Sequence, residues 1–288
     1  MKNFILSAET ACDLTNEQAK ALGIEIMPMN YYVDGEEFNS KDGTHTIKDL
    51  CDLMKGGAKT KTSQPNDAEI EDYLTNLLKH GKDILHLSFS SAMSGTYEHF
   101  KLMAEKLNKN HENKIYVVDT LCQSGGIALL LKAIIDKVNK DNSTIKETIT
   151  FAETLKHNIV HYFVVEDLKY LARGGRISTG SAVIGNIIKL KPVLHLDNVG
   201  KITQLHKVIG RKKSISTLID KFRDHYNGKS RSVVITQADC EDEAEFVKAK
   251  ILELNPTVEV LVNPLGPIIT SHSGPGTLAL FFTAEERV

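Results

Sequence analysis

Little in this chain can carry metal or redox chemistry. Its four cysteines, Cys12, Cys51, Cys122 and Cys240, stand far apart and form no CxxC pair. That scatter excludes a zinc knuckle and a secreted disulfide framework, and fits a reducing compartment. The eleven histidines contain no HExxH string and the carboxylates do not cluster as ligands, so no metal site is expected. GxGxxG and GxxxxGK strings are also missing, which argues against a standard nucleotide cradle. A net charge of −2 supplies no global field for nucleic acid or an acidic membrane. Near the start only Phe4-Ile5-Leu6 is apolar, too short for a signal peptide or a membrane span. The expectation is a soluble cytoplasmic protein.

What is present is enough for a substantial core. Of 288 residues, 41% are apolar and 25% charged, ordinary values for a globular chain whose length favours two domains. Short apolar runs of strand length alternate with helical patterns through the first half. Residues 4–6, 24–33, 84–87 and 115–119 read as strands. Thr15 with Gln18, and Asn66 with Glu69, have capping-box spacing ahead of helices. Residues 58–65 are too polar for core and read as a loop. This rhythm predicts a parallel sheet covered on both faces. The second half differs: residues 193–196 and 202–206 flank an Asp-Asn-Val-Gly turn and read as a hairpin among crossover units. A helix is expected over 183–189. The second sheet should therefore be mixed, with the boundary near residue 158. No internal repeat and no low-complexity tract is seen.

The most informative stretch is 84–97, ILHLSFSSAMSGTY. A strand passes through a serine-rich turn to Gly95, after which Tyr97, Phe100, Ala104 and Leu107 fall on one helical face. A helix N-terminus offers unpaired N–H groups and partial positive charge to an anion, and Ser94 could donate to the same anion. Two further hydroxyl-rich loops, Thr60 to Ser63 and Thr120 to Ser124, lie in the same half. In an open parallel sheet such loops converge on one edge, which would bring Thr62 and Ser94 to a common crevice. The plainer reading is that these hydroxyls cap helices and form turns. A hydrolase would need a histidine beside Ser94 and a group to orient it. His272, in a stretch rich in glycine and proline, could reach Ser94 only if the two halves meet there, and no GxSxG elbow is present. Arg173-Gly-Gly-Arg176 offers two guanidinium groups on a tight turn, suited to a phosphate or to a partner's carboxylate.

Four strings taken together resemble the DegV family of bacterial fatty-acid-binding proteins. They are Thr62-Ser63-Gln64-Pro65, Ser90-Ser91-Ala92-Met93-Ser94-Gly95-Thr96-Tyr97, Tyr170-Leu171-Ala172-Arg173-Gly174-Gly175-Arg176-Ile177-Ser178, and His272-Ser273-Gly274-Pro275-Gly276. They occur in the family's order and span nearly the whole chain. The resemblance implies an α/β fold: a three-layer α/β/α domain with a parallel sheet over residues 1–158, then a two-layer α/β domain with a mixed sheet over 159–288. It implies a non-enzymatic carrier of one long-chain fatty acid such as palmitate, bound non-covalently and with no other cofactor. The carboxylate would lie at Thr62 and Ser94, with Ser63, Gly95 and His272 close by. Some members hand the acid to a separate fatty acid kinase, which makes an acyl-phosphate for phospholipid synthesis. Arg173 and Arg176 are the candidate partner or phosphate contacts. Two strings depart from the family's usual form: Ser7-Ala8-Glu9-Thr10, and Asp119-Thr120-Leu121-Cys122-Gln123-Ser124-Gly125-Gly126.

Overall fold

The structure, a computed structural model, describes residues 3–177, 191–228 and 231–287. In chain order its elements are Phe4–Glu9 (β1), Asn16–Leu22 (α1), Ile24–Met27 (β2), Asn30–Val33 (β3), Glu36–Asn39 (β4), Ile47–Lys55 (α2), Thr60–Thr62 (β5), Asp67–Leu78 (α3), Asp83–Ser88 (β6), Thr96–Leu107 (α4), Ile115–Asp119 (β7), Gly125–Asp141 (α5) and Ile145–Leu155 (α6). Then follow Ile159–Val164 (β8), Lys169–Arg173 (α7), Val193–Leu196 (β9), Ile202–His206 (β10), Arg211–His225 (α8), Ser232–Gln237 (β11), Glu241–Leu254 (α9), Glu259–Pro264 (β12), Pro267–Ser273 (α10) and Leu278–Thr283 (β13). The helix expected over 183–189 lies outside the described residues.

Three sheets result. A parallel four-stranded sheet runs β2-β1-β6-β7, and a six-stranded mixed sheet runs β10-β9-β8-β13-β11-β12. A small antiparallel sheet, β4-β3-β5, flanks them. The parallel sheet, the mixed sheet and the 193–206 hairpin agree with the sequence reading. Two local expectations are corrected. The stretch 24–33 is two strands in different sheets, β2 and β3, separated by Pro28 and Met29. Proline cannot donate to a ladder, so the chain leaves the parallel sheet there. Thr60 to Thr62, read as loop, is the strand β5, paired with β3 in the register Tyr31 to Thr62.

Side-chain parity sorts the core into layers. On β1, Leu6 and Ala8 face a cluster shared with α5 and α6, while Ile5 faces α3 and α4. On the six-stranded sheet, Phe163, Val234 and Phe281 join that same α5 and α6 cluster. The alternate residues Tyr162, Val164, Leu280 and Phe282 pack under α8 and α9. The helical layer of α5 and α6 is therefore coated by both sheets. Its start needs glycine: a Cβ at Gly126 would lie 2.1 Å from His161 Nε2, and one at Gly125 2.6 Å from Phe281.

Helix starts follow their sequence signals. The capping boxes at Thr15 with Gln18 and Asn66 with Glu69 both form, and Thr46 with Asp49 and Thr144 with Glu147 add two more. Near the far end of the chain Arg287, 3% exposed, donates to the carbonyls of Ile159, Leu121 and Lys156. It also lies 3.2 Å from Cys122 Sγ. This ties the connection before β8 to the turn that precedes α5.

Candidate functional site

β5 carries Thr62 and α10 carries His272, and the two elements pack together. Thr60 Oγ1 donates to the Ser271 carbonyl at 2.8 Å, and Thr62 Oγ1 lies 2.7 Å from His272 Nε2. The segment bearing His272 is a helix, not the loop its glycines and proline imply. Pro267 at the first helical position presets the backbone angle, and its missing N–H costs nothing there. The helix ends at Gly274, whose φ of +84° suits glycine and where a Cβ would strike Tyr170 at 2.2 Å. On its other side the imidazole meets Gly174, where a Cβ would come within 2.5 Å of His272 Nδ1. Burial first, then the Arg176 and Arg173 guanidinium groups, push the His272 pKa down to about 4. The ring is therefore neutral at neutral pH and exchanges hydrogen bonds with Thr62 without charge.

Ser94 sits on the turn before α4. Its N–H donates to the Ser90 carbonyl at 3.2 Å, and its Oγ accepts from the Thr96 N–H at 3.3 Å and lies 2.8 Å from Thr96 Oγ1. Gly95 lets the Gln64 side chain approach: a Cβ there would be 3.0 Å from Gln64 Oε1. Ser63 anchors β5 by donating its N–H to the Asn30 carbonyl at 3.3 Å.

Thr62, Ser63, Ser94, Arg176 and His272 all border one cavity of ≈ 160 Å³. Its remaining wall is largely apolar and includes Phe89 and Met93 from the parallel half, with Phe163, Leu171, Ile202 and Phe281 from the mixed half. The two arginines part company. Arg176 lines the cavity, half-buried, with Nη1 donating to the Gly174 carbonyl, and burial works against its charge. Arg173 is exposed and lies over the Tyr170 ring at 5.2 Å. Ser94 and His272 share the cavity, yet the imidazole Nε2 is engaged by Thr62 and the serine hydroxyl by Thr96.

A second polar cluster behind this wall was not foreseen from the sequence. Asp13, 4% exposed, accepts from Ser124 Oγ at 2.5 Å and from the Gly266 N–H at 2.9 Å. Ser124 Oγ also lies 3.1 Å from Thr236 Oγ1. Burial drives the Asp13 pKa up to about 7, against the lowering pull of those two hydrogen bonds. Asp13, Leu121 and Ser124 all have positive φ, near +50°, a strained setting for residues other than glycine. No spacing rule links residues 111 positions apart; only the cluster of hydroxyls at Thr120 and Ser124 hinted that this turn faces the cavity.

Metal chemistry gains nothing here. His157 and His161 are four apart, but His161 is a core residue of β8 whose Nε2 accepts from the Gln123 N–H at 3.3 Å. Among the described residues no group of three or more His, Cys, Asp or Glu could hold a metal ion. Among them, too, no helix is long and apolar enough to cross a membrane.

A parallel and a mixed sheet sharing one helical layer, with an apolar cavity bordered by hydroxyls, a neutral histidine and an arginine, define an α/β protein with room for a ligand between its sheets. Residues 6–285 match the family described as "Uncharacterised protein, DegV family", and the chain belongs to that family. It is 33% identical over 292 residues to a DegV domain-containing protein of Clostridium perfringens, covering 100% of this chain and 99% of that one. It is 30% identical over 298 residues to a protein of Thermotoga maritima named fatty acid-binding protein, again over 100% and 99%. Among solved structures, a fatty-acid-binding DegV family protein of Thermus thermophilus superposes with a TM-score of 0.87 at 25% identity, over 98% of this chain and 99% of that one. The family and fold class inferred from the four strings are thus correct.

Proposed function

We propose that this chain is a carrier, not an enzyme, that holds one long-chain fatty acid non-covalently in the cavity between its sheets. The observation that carries the reading is the placement of Thr62, Ser94, His272 and Arg176 around one apolar cavity. The naming of a full-length relative as a fatty acid-binding protein supports it. The hydroxyls of Thr62 and Ser94 donate to the carboxylate, His272 orients Thr62, and Arg176 supplies charge. Each methylene taken from water contributes about 0.8 kcal/mol, so a long tail binds tightly without a covalent bond. A cavity of ≈ 160 Å³ takes roughly a benzene-sized group. A palmitate-length tail must therefore displace wall side chains, and Met29 and Met93 are the adaptable ones. The hydrolase reading is weaker, because Ser94 Oγ and His272 Nε2 are bonded to different partners.

In this reading the halves before and after residue 158 are two domains that each give part of the cavity wall. The protein works in the cytoplasm and presents the acid to a fatty acid kinase that supplies phospholipid synthesis. Arg173, exposed beside the site, is the contact for that kinase.

Lipid extracted from the denatured protein and identified by mass spectrometry tests the carrier; a protein that carries no fatty acid and takes none up refutes it. Thr62→Ala and Ser94→Ala should each weaken binding by about 1.5–3 kcal/mol, the range for hydrogen bonds to a charged group. Unchanged affinity in both would place the head group elsewhere. Arg173→Glu should abolish acyl-phosphate formation by the kinase and leave acid binding intact.

A further inference from the structure

We propose that Gln123 forms a polar subsite in the apolar part of the cavity, which selects an acyl chain bearing a mid-chain hydroxyl over the unsubstituted chain. The proposal rests on the fatty-acid reading above. Gln123 belongs to the turn between β7 and α5 and is part of the cavity wall. It is 8% exposed, and its hydrogen bonds among the described residues are made by its backbone: the N–H donates to His161 Nε2 at 3.3 Å and the carbonyl accepts from the Gly126 N–H at 2.9 Å. Among the described residues the side-chain amide, with two donors and an acceptor, has no hydrogen-bond partner at a wall that is otherwise mostly hydrocarbon. Its neighbour cannot help, since Ser124 Oγ is taken up by Asp13 and Thr236.

The position is well along the cavity from the head-group residues. The bond to His161 fixes the Gln123 backbone against β8, and His161 is the register partner of Phe281 on β13. Thr277, which also borders the cavity, adjoins the end of the His272 helix through its bond to the Gly274 carbonyl at 2.7 Å. From Thr277 to Phe281 the chain advances four residues, about 13 Å of strand. A carboxylate at Thr62 and His272 therefore leaves the middle of a long tail to pass Gln123.

Methylene groups at that point would strip water from the amide and return nothing, a cost that falls on the unsubstituted acid. A hydroxyl answers both the donors and the acceptor. A double bond presents only a weak π acceptor, so hydroxylation is the better match. Sites built to hydrogen-bond a ligand hydroxyl discriminate strongly against the analogue lacking it, because the protein's own group is then unpaired.

The test is calorimetric binding of octadecanoic acid and of its mid-chain hydroxy derivatives to the delipidated full chain and to Gln123→Met, which keeps the length of the side chain. We expect at least one hydroxy isomer to bind the native protein about tenfold or more tighter than the unsubstituted acid. Gln123→Met should erase that preference, weakening the hydroxy acid and tightening the plain one. Equal affinities in the native protein, or a preference that survives Gln123→Met, overturn the subsite and leave the carrier standing. Failure of every acid to bind overturns the carrier reading and this one with it.

Discussion

Asp13→Asn should make the protein more stable, and increasingly so as pH rises. The folded pKa of Asp13 is about 7 against an ordinary 3.8, with burial as the main cause. A carboxyl whose folded pKa is raised contributes stability that is fully present below the unfolded value and is lost as pH climbs through the folded one. Across that window the unfolded chain has released a proton that the folded chain keeps. The loss is about 1.4 kcal/mol per pH unit, or about 4 kcal/mol in all. Asparagine removes the titration but not the contacts. Its carbonyl can still accept from the Gly266 N–H, and the Ser124 hydroxyl can turn to accept from the new amide while donating to Thr236. Urea unfolding of both proteins at pH values from below 4 to above 7 reads the difference directly. It should be near zero in acid, grow through the window and level off above it. A difference that stays flat with pH would show that Asp13 is ionised at little cost, through water or a rearranged loop, and would refute the argument.

Two other perturbations probe the same neighbourhood. His272 has a folded pKa of about 4, below its ordinary 6.5, so its sign is opposite: the stability is present above the unfolded value and is lost as pH falls through the folded one. Native protein should therefore lose ground to His272→Gln between those values, and a constant gap in paired urea titrations would contradict it. Arg287→Met leaves the carbonyls of Ile159, Leu121 and Lys156 without their donor. That should destabilise by about 3 kcal/mol or more, read as a lower urea midpoint; an unshifted midpoint would mean water replaces the guanidinium.

What the sequence revealed and what it hid divide along physical lines. Features fixed by near neighbours were legible: the capping boxes at Thr15 and Asn66, the hairpin over 193–206, and the alternation behind the parallel sheet. β5 was not, because three polar residues carry no pattern of their own and are a strand only by pairing with β3. α10 was hidden by the glycines that end it, although Pro267 and the two isoleucines after it mark a helix start. Thr62 and Ser94 were singled out through hydroxyl-rich turns and a string resemblance, and both border the cavity. Asp13 and Gln123 were missed, since what distinguishes them is burial, which depends on elements far away in the chain. The pairing of Arg173 with Arg176 looked natural from the Gly-Gly spacing, but a tight turn also points two side chains apart.

The shared helical layer has a bearing on traffic. The α5 and α6 layer shares its core with Leu6 and Leu87 of one sheet and with Val234 and Phe281 of the other. Swinging the sheets apart like a clam would strip one side of that layer whichever way it went, at the expense of the largest apolar cluster among the described residues. On the carrier reading proposed above, a fatty acid has to enter and leave with the two sheets still joined through that layer.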